Sequence, residues 1–325
     1  MRAAFDLPGS WVWDFWFADD GERYHLYFLY ASRALHDPDA RHYRASIGHA
    51  VSTDLVQWSQ VADALVRSDA PAFDDLATWT GSTVRHPDGT WFLFYTGSSL
   101  APGGKNVQRI GYATSHDGET WTKSSGPVLE AAGPWYETLA SGAWHDEAFR
   151  DPWVFADPDG DGWHMLITAR APHGPIAGRG VIGHAWSADL RAWELREPLT
   201  APSIDGFGQL EVTQVEVVDG RPVLIFSCLA EHATASRRGQ GGGTWAVPAE
   251  SLLGPFDVDA AYPLTDERLY VGRLLQRRTD GQWMLFAFRN ADESGRFVGG
   301  VTGPMAVGWD GDRLVVHQDA RAATG

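Results

Sequence analysis

The chain is nearly devoid of cysteine: Cys228, inside the apolar run VLIFSCL, is the single one among 325 residues. One cysteine cannot close an internal disulfide, so the fold is expected to hold by packing, with Cys228 a small buried group. Basic charge is scarce as well. Lys and Arg number 26 against 42 Asp and Glu, a formal charge of −16. That balance argues against a nucleic-acid groove, which needs clustered cations to neutralise phosphate. No run of like charge is long enough to make a tail. No segment approaches the ~18 apolar residues of a membrane span, which argues against a membrane partner. MRAAFDLPGSW at the start has neither an apolar stretch of signal-peptide length nor a cleavage pattern, so a cytoplasmic location is expected. Helical periodicity is missing too, the best candidate being the short PAESLLG segment from Pro248. Spacings such as H-E-x-x-H or paired C-x-x-C do not occur, and neither a metal site nor a cofactor is expected.

What the chain has is repetition. A strand-like run follows a Gly-bearing turn five times, at Tyr24, Trp91, Trp163, Pro222 and Trp283, roughly 60 to 70 residues apart. The first three runs are followed by a second shared unit: IGHAVSTDLVQW from Ile47, IGYATSHDGETW from Ile110 and IGHAWSADLRAW from Ile182. One antiparallel sheet of this length cannot bury both faces, whereas several packed around an axis can. The expectation is therefore an all-β chain forming a five-bladed β-propeller, one catalytic domain over residues 1–325 with no C-terminal β-sandwich. The fifth blade is expected to start near Tyr262, with the N-terminal residues helping to close the ring. Trp58, Trp121 and Trp193, which end the repeated units, read as packing between blades. His49 and His184, with Tyr112 at the same repeat position, read as a structural aromatic slot. Asp54, Asp117 and Asp189 read as turn residues.

Three acids precede the repeated runs of different blades: Asp14 in VWDFWF, Asp151 in FRDPWVF and Glu211 in GQLEVTQVEV. Asp and Glu fit strands poorly, so acids flanked by aromatic or apolar residues at matching places point to chemistry at a shared axial cavity. Two carboxyl groups flanking a sugar are what glycoside hydrolysis requires, one as nucleophile or base and one as general acid. Trp13, Trp16 and Trp79 offer apolar faces for sugar rings. Glu216 is a rival to Glu211, but an odd spacing in an unbroken strand turns it to the opposite face. Tyr270 and Arg273, in RLYVGR, fall on the fifth blade's inner strand as candidates to reach substrate. Asp146 and Glu147 read as a solvated loop.

In these motifs the chain resembles the fructosyl-transferring propellers, invertase-like and levansucrase-like, of glycoside hydrolase families 32 and 68. GHAVSTDLVQW from Gly48, WTGSTV from Trp79, FYTGS from Phe94, ATSHDGETW from Ala113 and FRDP from Phe149 follow that group's order. VWDFWF is similar to the levansucrase nucleophile segment rather than to the invertase one. The resemblance implies Asp14 as nucleophile, Glu211 as general acid/base, and Asp151 beside Arg150 as the group holding sugar hydroxyls. It places Trp79 and Ser82 along the sugar pocket, and it implies retaining cleavage of a small-molecule or oligosaccharide furanoside, with transfer to another sugar as a variant outcome. Departures lie around the nucleophile, where Trp13 replaces the invertase Asn, and after the acid/base residue, where Val212 replaces Cys. An inverting arabinofuranosidase or xylosidase type and a non-catalytic carbohydrate-binding propeller are the alternatives.

Overall fold

The computed structural model describes residues 3–140 and 143–317. Five sheets follow one another along the chain. In the first, the inner strand Ser10–Asp19 pairs with Tyr24–Ser32, then Ser46–Ser52, then Ser59–Gln60. The inner strands of the next four are Ala77–Arg85, Phe149–Ala156, Glu211–Val218 and Leu269–Gln276. Each inner strand touches the next, and the fifth touches the first, so the ring is closed. That is the five-bladed propeller the repeat predicts.

Ring closure uses both ends of the described chain. Ala3–Phe5 pairs with Val301–Thr302 in the fifth sheet, with Ala3 opposite Thr302 and Phe5 opposite Val301. Tyr262, by contrast, belongs to the outer strand of the fourth blade, paired with Ala246, so the fifth begins later than the turn signals suggest. The PAESLLG segment forms no helix; turn-favouring Ser251 and Gly254 close it instead, through a Ser251 hydroxyl bond to the Gly254 carbonyl of 2.7 Å. The longest α-helix among the described residues is Ala235–Arg238.

The repeated sequence units explain themselves locally. Ser52, Ser115 and Ser187 cap turns in which Asp54, Asp117 and Asp189 accept backbone N–H groups at 2.7–2.9 Å. Trp121 meets Tyr27 of the preceding blade edge-on, and Trp193 meets Phe94 in the same way. Trp58 stacks on Phe17, which itself contacts Phe286 of the fifth blade. His49 pairs with His25 and His184 with His164, both at 2.9 Å. These aromatic and imidazole contacts are structural.

Every inner strand is broken at the same height by a β-bulge. Between Val12 and Phe15, Arg150 and Trp153, Glu211 and Gln214, and Tyr270 and Arg273, the inner strand advances three residues while its partner advances two. In the second blade Thr80 is the extra residue, between Trp79 and Gly81. Asp151, Val212 and Val271 take the left-handed conformation at the bulges of blades three to five. A bulge bends its strand and re-aims neighbouring side chains. Close approach follows: a Cβ added to Gly81 would lie 1.9 Å from the Phe94 carbonyl oxygen.

Candidate active site

The bulges ring one mouth of the propeller. Trp79, Arg150, Glu211 and Tyr270 are the last paired residues before the bulge, and Trp13, Asp14, Thr80, Asp151 and Val212 lie within it; all line a single cavity of about 270 Å³. The three sequence-selected acids therefore converge on one cavity, although their places differ. Asp14 and Asp151 sit in their bulges, whereas Glu211 sits one residue earlier.

The bulge leaves backbone N–H groups without ladder partners, and hydroxyls on the middle strands accept them. Thr96 Oγ1 accepts from Asp151 N at 2.9 Å, Thr168 Oγ1 from Val212 N at 3.1 Å, and Ser227 Oγ from Val271 N at 3.0 Å. Thr168 also donates to Asp151 Oδ2 at 2.8 Å. A hydroxyl residue in YTGSS, ITARA and FSCLA is thus the sequence trace of a bulge in the next blade.

Asp151 is buried, and Arg150 Nε lies 3.4 Å from its Oδ2. The same guanidinium donates to Glu211 Oε1 at 2.5 Å, to Gln209, and to Gln108 Oε1 at 3.0 Å. Tyr270 donates its phenol to the other oxygen of Glu211. Both oxygens of this carboxyl are therefore oriented. Asp14 accepts from Thr80 Oγ1 at 2.5 Å. Burial, then the charge of Asp151, push Asp14 up to about 7, against the lowering effect of the Thr80 bond. Burial also raises Asp151, the adjacent Arg150 pulling in the opposite direction.

Part of the remaining wall is aromatic. His42 meets Trp13 and Trp79 edge-on at 6.0 and 6.2 Å, and Trp79 donates its indole N–H to the His42 carbonyl at 2.7 Å. Burial drives the His42 ring down to about 3, so it is neutral. His145, Asp146, Gln209 and His232 also line the cavity, with the His145 and His232 rings 6.3 Å apart.

Three expectations for substrate contact are corrected by placement. Trp16 is fully buried, donates to Thr83 Oγ1 at 2.9 Å and stacks on Tyr27, so it packs blades together. Ser82 is buried and accepts from Val154 N at 3.0 Å, pinning blade two to blade three. Arg273 lies outside the cavity lining, donating to the carbonyls of Phe15 (3.2 Å) and Thr213 (3.1 Å). Its role there is to tie blades four, five and one. Asp146 departs in the other direction: it is a cavity residue, mostly buried, accepting from Gln108 Nε2 at 2.7 Å. Glu147 is structural, accepting from Leu139 N at 2.9 Å. Glu216 lines a separate cavity with Asp19, Gln276 and Arg278. The bulge breaks the alternation on which its orientation was judged, so its distance along the strand is what separates it from Glu211.

The sequence reading missed Arg41, His42, Thr80, Gln209, His232 and Asn290. Their available signal was length. The connections after the middle strands of blades one and four (33–45 and 229–242) are longer than the 101–105 turn of blade two, and they carry Arg41, His42 and His232 to the rim.

Among the described residues no group of three or more His, Cys, Asp and Glu is placed to hold a metal ion. None of the helices among the described residues is long and apolar enough to cross a membrane.

The chain matches the sequence profile described as "Glycosyl hydrolases family 32 N-terminal domain" over residues 16–245, a stretch that includes Asp151 and Glu211 and begins just after Asp14. It is 35% identical over 127 residues to a fructan 1-exohydrolase of Aegilops tauschii, covering 37% of this chain and 19% of that protein. A "Beta-fructofuranosidase, insoluble isoenzyme 3" of Oryza sativa is 29% identical over 174 residues, covering 52% of this chain and 26% of its own length. The chain thus spans about a fifth to a quarter of these relatives. Among solved structures, the inulosucrase from Halalkalicoccus jeotgali bound to kestose superposes with a TM-score of 0.80 at 23% identity, covering 97% of this chain and 88% of that one. That likeness shows the shared fold.

Proposed function

From the premise that the chain belongs to glycosyl hydrolase family 32, we propose that it cleaves β-fructofuranosides with retention of configuration. The observation carrying this reading is the convergence of Asp14, Asp151 and Glu211 on one cavity with an aromatic wall. In the first step the Asp14 carboxylate attacks the anomeric carbon of a fructosyl unit. The bond to the leaving oxygen breaks, and the protonated Glu211 carboxyl supplies its proton. Asp151, fixed by Thr168 and Arg150, accepts hydrogen bonds from sugar hydroxyls as positive charge develops on the ring. In the second step Glu211, now a carboxylate, takes a proton from water. The oxygen of that water displaces Asp14, releasing fructose and restoring both carboxyls. A sugar hydroxyl replacing water gives transfer instead.

Trp13, His42 and Trp79 form the face on which the fructosyl ring rests. His145, Asp146, Gln209 and His232 receive the leaving group, whose sugar partners are of the kind the named relatives handle. The test is incubation with a panel of fructosides and arabinofuranosides, following product configuration by NMR. Retained configuration at a fructosyl centre is expected; cleavage of arabinofuranosides alone, or with inversion, would overturn the reading. Asp14→Asn is expected to lower kcat by about 10³-fold or more with the fold intact. Substantial residual turnover in that variant would reject Asp14 as nucleophile.

A further inference from the structure

Two guanidinium groups line the cavity, and one is fully engaged. Arg150 has its donors on Gln108, Gln209, Glu211 and Asp151. Arg41 does not. It comes from the connection after the middle strand of blade one and is 8% exposed. Its guanidinium lies 3.8 Å from the Phe297 ring centroid and 5.5 Å from that of Trp13. Nη1 donates to the Pro38 carbonyl at 2.7 Å and lies 3.5 Å from Asp39 Oδ1. Nε is buried without an acceptor, and Nη2 has no hydrogen-bond partner among the described residues.

A guanidinium held over a ring at 3.8 Å, with unspent donors in a cavity wall, is a preorganised reader of oxygen atoms. We propose that Arg41 is a specificity-determining residue of this cavity. Its Nη2 donors bind an oxygen of a neutral sugar, and its fixed charge faces Asp14. The ligand is neutral because Asp14, Asp146, Asp151 and Glu211 line the same cavity as only two guanidinium groups. A phosphate or carboxylate substituent would meet net negative charge. Burial, partly offset by Asp14 and Asp39, lowers Arg41 only to about 10, so it stays charged wherever the enzyme would work.

This inference rests on the function proposed above. Its test compares Arg41→Met and Arg41→Lys with the unaltered protein, measuring kcat and KM separately against pH on a neutral fructoside, with thermal unfolding as the folding control. Arg41→Met is expected to raise KM about tenfold or more, the worth of one charge-assisted hydrogen bond. It is also expected to move the acid limb of kcat/KM to higher pH, because a positive charge facing Asp14 is gone. The other groups acting on Asp14, namely the charged or titratable Asp151, Glu211, Tyr270 and Arg273 and the Thr80 hydroxyl, are unchanged. Arg41→Lys restores the limb but not KM, since an ammonium lacks the planar fork. A folded Arg41→Met protein with unaltered KM and acid limb overturns the proposal, as does a phosphorylated fructoside with the lower KM. If Arg41→Met fails to fold, an unchanged KM in Arg41→Lys overturns it. Should the unaltered protein turn over no fructoside, the preceding reading falls. Calorimetric titration with fructose then decides this one: weaker binding by Arg41→Lys supports it, equal binding overturns it.

Discussion

Asp14 works against its surroundings. A nucleophile must be ionised, yet burial and the neighbouring Asp151 carry this carboxyl to about 7, with Thr80 holding it from going higher. The acid limb of kcat/KM is therefore expected above the ordinary carboxylate range. Thr80→Val removes the hydroxyl that favours the anion, so the limb should shift further upward; a shift downward, or none, in a pH–rate profile would contradict this assignment. The same residue bears on stability. A carboxyl whose folded-state value exceeds its unfolded value of 3.8 binds its proton more tightly when folded. Its stabilising contribution is complete below that unfolded value and is lost as pH rises through about 7. Asp14→Asn, which cannot ionise, should thus melt several degrees higher than the unaltered protein at alkaline pH. The two melting temperatures should converge in acid, as measured by thermal scans at both extremes.

At the level of single strands, the bulge decides what reaches the cavity. An unbroken strand would alternate its side chains strictly, and one inserted residue lets neighbours such as Arg150 and Asp151 share the same cavity wall. Two of the left-handed bulge residues are Val212 and Val271, β-branched side chains that avoid this conformation, so the surrounding hydrogen bonds must hold them there. Thr96→Val tests that dependence. It leaves the buried Asp151 N–H without its hydroxyl acceptor and should cost about 1–3 kcal/mol in urea denaturation. Activity should fall with it because Asp151 is misplaced. Thr96→Ser, which keeps the oxygen, should restore most of both.

Across the whole ring, the seam between the last and first blades matters most for the site, because Asp14 and Tyr270 stand on either side of it. It is closed by the Ala3–Phe5 strand, by Gly300 N donating to the Val12 carbonyl at 2.8 Å, and by Arg273 donating to the Phe15 carbonyl. Phe5 is buried with its ring 4.7 Å from that of Phe28. Phe5→Ala should therefore cost about 3–5 kcal/mol. Thermal inactivation should be markedly faster, while kcat at ambient temperature changes little. Equal inactivation rates for the two proteins would place the weak seam elsewhere.

The repeat of strand-like runs, the turn-forming Ser and Asp pairs and the acids Asp14, Asp151 and Glu211 could all be read from the chain, because they depend on local periodicity and on residue types that strands otherwise reject. Trp13 and Trp79 were legible as aromatic faces near the acids, Tyr270 as a residue of an inner strand, and Arg150 through the FRDP resemblance. Trp16, offered as a sugar face, Ser82, implied by the resemblance, and Arg273, set on an inner strand, were misplaced, since residue type and strand membership do not say which side of a bulged strand a side chain occupies. Arg41, His42 and His232 carried no motif signal: they ride on the connections after the middle strands of blades one and four, whose length was the one trace in the sequence. Which loops fold over the mouth, and which donors are left unspent there, follows from how five sheets close around an axis. No stretch of sequence shorter than the ring contains that information.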